Sequence, residues 1–165
     1  MISFEENGKK FNFRASAIIL DNSGKKLLIH KTNNRDFWLL PGGRVEMQES
    51  TQDAIVRELK EELGITPREV KLALITENFF NLIDKPYHEV GFVFVVRLNR
   101  DDSLLKKEGL FEGIEGAKFL FKWYDIDKIK ELDFRPPFYV KEIENIHKLT
   151  GIKHLVVDDK SVFLP

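Results

Sequence analysis

A chain of 165 residues with 26 Lys and Arg against 27 Asp and Glu has a formal net charge of -1, which excludes a generally basic nucleic-acid binder. The 42% hydrophobic content excludes an acidic disordered tail, and the absence of Cys removes disulfides, a thiolate nucleophile and Cys-ligated zinc. One domain over residues 1–165, long enough to bury a core, is the expectation.

In chain order, the opening segment carries acids where a signal peptide carries positive charge, and its apolar run ends at Asp21. No window approaches the ~20 apolar residues that span a bilayer. A soluble cytoplasmic protein with no membrane partner is expected. Phe11 to Leu20 reads as a strand, Asp21 to Gly24 as a tight turn, and Lys26 to His30 as the hairpin partner. Phe37 to Leu40 is a short apolar run broken by Pro41-Gly42-Gly43.

Thr51 to Leu63 turns helical. Ile55, Leu59 and Leu63 recur every four residues, Ser50 and Asp53 make a capping-box-like start, and Gly64 is placed to end the helix. Val70 to Thr76 and Val90 to Leu98 read as strands, the second apolar on both faces and therefore central in a covered sheet. Lys118 to Tyr124 reads as a further strand and Asp125 as the N-cap of a short helix with Ile126 and Ile129 inward. Pro136-Pro137 opens a last helix to about Leu149, closed by Gly151. Elements mixed in this order predict an α/β layered domain with helices on a mixed sheet.

One feature of the Thr51 helix breaks the usual rules of helix design. Glu58, Glu61 and Glu62 share a face, where like charges repel, and they sit in the last turns, where the macrodipole disfavours anions. Arg57 is expected to point largely elsewhere, so a divalent cation is the economical partner. Taken alone, three Glu on a helix read as a solvated acidic face. The wider spacing overturns that reading. Gly43, five residues, Glu49, seven residues, then Arg57-Glu58-Leu59-Lys60-Glu61-Glu62-Leu63-Gly64-Ile65 resembles, without a departure, the signature box of the Nudix hydrolase family.

The resemblance implies a Nudix fold, an α/β/α sandwich around a mixed β-sheet. It also implies hydrolysis of the pyrophosphate bond of a nucleoside diphosphate linked to some moiety X. By the same resemblance, Glu58 and Glu62 match metal ligands, Glu61 a further ligand or water-activating base, and the Gly43 carbonyl an additional oxygen ligand. Glu49 and Arg57 match the pair that orients helix and loop. Oxygen-only donors select hard cations, so Mg²⁺ or Mn²⁺ is the expected cofactor. The family often keeps its general base outside the box, and Glu112 and Glu115 are the candidates, Glu115 preferred, with Glu89 behind them.

Lys31, Arg35 and Arg44 flank the Pro-Gly-Gly loop and could receive phosphate oxygens. Phe79, Phe80, Tyr87 and Phe111 could stack a base, and His88 could donate to phosphate, although each is more often a core or edge residue. The family's tags for ADP-ribose, dinucleoside-polyphosphate and coenzyme A substrates are unmatched: position 81 is Asn, Tyr87 lies too far along, and Lys31 to Arg35 lacks the required motif. A small nucleotide is the expected partner, with a homodimer open as an assembly. A nucleoside triphosphate cleaved to the monophosphate and pyrophosphate is the preferred substrate, and a nucleotide sugar or ADP-ribose-type compound the alternative. A rival is a nucleotide-sensing domain without catalysis, but a pure binder has no need of three repelling carboxylates.

Overall fold

A computed structural model describes residues 1–163, with side chains described through residue 159. The strands are β1 (Ser3–Glu6), β2 (Lys9–Leu20), β3 (Lys26–Thr32), β4 (Gly42–Arg44), β5 (Glu69–Leu82), β6 (Lys85–Arg97), β7 (Phe111–Gly113), β8 (Gly116–Asp125) and β9 (Lys153–Phe163). The helices are α1 (Thr51–Leu63) and α2 (Tyr139–Glu144). Among the described residues the strands form one mixed sheet in the order β7-β8-β3-β2-β6-β5-β9, with β1 and β4 paired to β2.

Alternation along β2 explains the layering. Ala15, Ala17 and Ile19 face one core with Ile55 and Leu59 of α1, while Ile18 and Leu20 face a second core with Ile129, Tyr139 and Ile143. Helices therefore cover both faces, and the fold is the α/β/α sandwich. β6 is central as predicted, parallel to β2 and antiparallel to β5. The ladder between β2 and β3 is confined to the turn end, at Leu20 and Leu27; the start of β2 pairs with β1, and its middle, Arg14 to Ser16, is flanked by β4, with Ala15 opposite Gly43. The sheet thus opens where the Pro-Gly-Gly turn enters, which brings that loop beside the carboxylates of α1.

The caps of α1 are local. Ser50 Oγ accepts from the Asp53 amide at 3.0 Å and donates to the Asp53 carboxylate at 2.7 Å, and Gly64, left-handed at φ 70°, donates its N–H to Lys60.

Elsewhere the structure corrects the reading. Asp125 makes no side-chain cap bond and instead pairs with Lys128 at 3.5 Å. The last helix stops at Glu144, where the Asn145 side chain donates to the Lys141 carbonyl at 2.9 Å and ends the α-helical ladder; a 3-10 turn, Ile146–Lys148, follows. β5 runs six residues past Thr76 into a hairpin with β6, turning at Ile83 (φ 56°), because the partner strand supplies a ladder that local propensity does not foretell. β1, β4, β7 and β9 were not foreseen as strands.

Candidate active site

Arg57 organises the box. Its Nε donates to Glu49 Oε1 at 2.8 Å and its Nη2 to Glu49 Oε2 at 3.0 Å, a two-point pair, while Nη2 also donates to the Arg44 carbonyl at 3.2 Å. Glu49 Oε2 accepts the Glu46 amide at 2.9 Å, so the loop before α1 is fastened to the helix flank. The expectation that Arg57 points away from the glutamates is corrected, because Nη1 donates to Glu58 Oε1 at 2.8 Å and to Glu61 Oε2 at 3.2 Å. Glu61 stands at the ordinary i,i+4 pairing distance from Arg57, and the long guanidinium, curling along its own helix, reaches the adjacent Glu58 as well. These bonds hold the Glu49 carboxyl below the ordinary range and push the Arg57 value up.

The three glutamates differ in setting. Glu61 is more than half exposed, Glu58 is mostly covered, and Glu62 is only 4% exposed. Burial, with the Glu58 charge beside it, pushes the Glu62 carboxyl up to about 8. Among the described residues Glu62 Oε2 has no hydrogen-bond partner. Gly43 lies directly against the Glu58 carboxylate, where any Cβ would collide with it. Among the described residues no three His, Asp or Glu side chains are gathered as a metal cluster; Arg57 is the cation held between Glu58 and Glu61.

The segment carrying the candidate bases closes over the end of α1. The Ile114 amide donates to the Glu62 carbonyl at 2.9 Å, satisfying a terminal helix acceptor. Glu115 pairs with Lys118 at 3.0 Å, and its charge is one cause of the raised Glu62 value. Glu112 instead lines a separate cavity of about 660 Å³ with Gly64, Ile65 and Phe111. Phe111 stacks on Phe121 at 6.0 Å.

A second cavity, of about 300 Å³, opens on the sheet face opposite α1. Arg35 and Arg44 line it; Lys31 lies over the Trp38 ring at 5.5 Å and is not among its lining residues. Phe80 and Tyr87 line it too, stacked at 5.0 Å, whereas Phe79 stacks on His88 at 4.5 Å outside it. His88 Nε2 is buried without a partner among the described residues. Glu89 lies on the cavity floor, where enclosure pushes its carboxyl up against Arg14, the Asn12 amide and Arg44, which favour its charged form. Arg14 was missed by the sequence reading. Its Nη2 donates to the Gly42 carbonyl at 3.1 Å, and its charge acts on both Glu62 and Glu89. The available signal was a lone Arg inside the apolar run of β2. Arg44 joins the two regions, with its carbonyl on Arg57 and its side chain on the cavity.

The sequence pattern of the NUDIX domain matches residues 10–143, most of the chain. The protein belongs to the Nudix family. A curated relative, the RNA pyrophosphohydrolase of Teredinibacter turnerae, is 30% identical over 69 residues, covering 42% of this chain and 40% of that one. The RNA pyrophosphohydrolase of Ruthia magnifica is 26% identical over 141 residues and 77% of each chain. The chain thus spans about two fifths of the length of the first relative and about three quarters of the second. The crystal structure of the mutator MutT protein from Bacillus halodurans superposes with a TM-score of 0.60 at 21% identity, over 82% of this chain and 81% of that one, which shows a shared fold. The Nudix match spans the box, the Pro-Gly-Gly loop and both faces of the sheet beside them. Among the described residues no helix is long and apolar enough to cross a membrane.

Proposed function

We propose that this Nudix protein is a pyrophosphohydrolase that cleaves a nucleoside diphosphate linked to X, in the first instance a nucleoside triphosphate to the monophosphate and pyrophosphate. The observation that carries the reading is Glu62, buried with a free carboxylate oxygen one helical turn from Glu58, whose own carboxylate lies over Gly43.

A buried, unpartnered carboxylate oxygen next to a second carboxylate is costly for the fold unless a cation meets it. Nudix hydrolases generally use divalent metal ions, and an oxygen-only donor set fits Mg²⁺ or Mn²⁺. Glu58, Glu62 and the Gly43 carbonyl would hold the ion, with Glu61 as a further donor. When bound, a divalent ion neutralises pyrophosphate charge and makes a bound water more acidic.

The remaining work belongs to the chain. Arg44 and Arg35, at the cavity, bind phosphate oxygens, and Arg14 adds positive charge between the cavity and the box. Arg57 is a positioning residue that keeps Glu58 and the Glu49 loop in one arrangement. Glu115, whose charge acts on Glu62, takes a proton from the attacking water as the water oxygen bonds to phosphorus and the α–β bridging P–O bond breaks. One of the two products, monophosphate and pyrophosphate, then carries the water oxygen, and the other leaves with the bridging oxygen.

A second reading, a 5′-triphosphate at an RNA end, draws on the name of the two relatives. The test is a panel of nucleoside triphosphates, nucleotide sugars and a 5′-triphosphorylated oligonucleotide, with phosphate release followed through added pyrophosphatase or phosphatase. Turnover of the triphosphates in Mg²⁺ supports the proposal, and no turnover of any member of the panel refutes it.

A further inference from the structure

The register of three neighbouring strands aligns polar side chains on the floor of the 300 Å³ cavity. Asn12 of β2 stands opposite Glu89 of β6, and Glu89 stands opposite Asn78 of β5. All three line the cavity. On one side of this row lie the stacked rings of Tyr87 and Phe80. On the other is Gly91, where a Cβ would meet Thr76 Oγ1 at 2.6 Å and Tyr139 Oη at 3.3 Å. The floor is therefore a polar strip bounded by aromatic surface, suited to the edge of a flat heterocycle.

The strip has one committed member and two available ones. Asn12 Oδ1 accepts from Ser3 Oγ at 2.8 Å, and the Asn12 side chain also hydrogen-bonds Glu89, which fixes the carboxyl. Asn78 is 3% exposed, and its Nδ2 has no hydrogen-bond partner among the described residues. A buried donor without an acceptor weakens the fold, and a ligand acceptor placed there recovers the loss. The cavity thus offers an amide donor directly beside a carboxyl acceptor.

We propose that Asn78 and Glu89 select a guanine base, with Asn78 Nδ2 donating to the ring carbonyl and the Glu89 carboxylate accepting from the ring N–H and the 2-amino group. This inference rests on the pyrophosphohydrolase reading for its nucleotide substrate. Guanine presents one acceptor followed by two donors along this edge, matching the donor and the carboxylate in order. Adenine presents an amino donor to the Asn78 donor and a bare ring nitrogen to the carboxylate, leaving both protein groups unsatisfied. The phosphates of a base so placed lead toward Arg14 and Arg44, which act on Glu89 from the side of the box.

The test is calorimetric titration of GMP, IMP and AMP into the full chain in EDTA, so that no hydrolysis is involved. The wild type should bind GMP at least about tenfold more tightly than AMP, with IMP between them because it lacks the 2-amino group. In Glu89→Gln the preference for GMP over IMP should collapse to less than about twofold, a change that a purely structural role would not produce. Asn78→Leu should weaken GMP and IMP alike. Equal affinity for GMP and AMP, or no binding of any of the three, overturns the inference. If either variant fails to fold, the three-way comparison in the wild type still decides. Selective GMP binding without turnover would leave this inference standing while refuting the hydrolase reading, and unselective turnover would do the reverse.

Discussion

The Arg57 guanidinium grips Glu49 at two points, 2.8 and 3.0 Å, while its remaining nitrogen reaches Glu58 at 2.8 Å. One side chain thereby couples the loop that follows Gly43 to the helix that carries the carboxylates. A lysine keeps the charge and loses the fork. Arg57→Lys should therefore lower kcat by about tenfold or more while the protein stays folded, because the geometry of Glu58 and the loop loosens together. Steady-state kinetics with a thermal melt check this; a wild-type kcat would remove Arg57 from the positioning role.

Gly43→Ala tests the close approach on the other side of Glu58. The added methyl would occupy the place of the Glu58 carboxylate, so either the strand or the glutamate must shift. Turnover should fall by about 10²-fold, in line with an ångström-scale misplacement at a reacting centre. Turnover measured across an Mg²⁺ titration reads the effect, and an unchanged activity would show that Glu58 is free to move without cost.

Glu62 makes stability depend on pH. Its folded value, about 8, stands above the ordinary carboxyl value of 4.5, so between those values the folded state holds a proton that the unfolded state has lost. Stability from this group is therefore present below about 4.5 and lost as pH rises toward 8. Glu62→Gln should raise the metal-free melting temperature at pH 8, and the gain should shrink as pH falls toward 5. Melts across that range decide it; a variant less stable than wild type at pH 8 contradicts the burial account.

Much of this was legible in the sequence, and the limits have physical causes. Ser50 and Gly64 bound α1 through local bonds, so the helix could be placed from its own residues. Glu62 falls seven residues after Ile55 and three after Leu59, on the buried stripe, so its burial was also implicit in the spacing. Arg57 was misjudged because its guanidinium curls back along its own helix to Glu58 and to Glu61 four residues on, while its pairing with Glu49 was expected. Asn12, Asn78 and Glu89 meet only through the register of three strands, which no single stretch of sequence encodes. β9 was missed because an edge strand with Val156 exposed and Asp158 and Asp159 in its middle has no clear alternation to read.

The two candidate bases should separate. Glu115 stands near Glu62, whereas Glu112 opens onto the other cavity. Glu115→Gln should depress kcat, most at low pH where little hydroxide substitutes, and leave the Mg²⁺ requirement unchanged. Glu112→Gln should follow the wild type. Profiles of kcat against pH at saturating Mg²⁺ test both; if neither variant departs from wild type, the role passes to Glu61.

The central claim is that Glu58 and Glu62 form an oxygen-only cation site that powers pyrophosphate cleavage. Its most direct test is GTP turnover by the wild type and by Glu62→Gln, in EDTA and then across an Mg²⁺ titration, with melting temperatures recorded alongside. The account predicts no turnover in EDTA and recovery with Mg²⁺ in the wild type. It further predicts at least a 10²-fold loss (roughly 3 kcal/mol) in a Glu62→Gln protein that melts no lower than the wild type without metal. Full activity in excess chelator, or a folded Glu62→Gln with wild-type turnover, would contradict it.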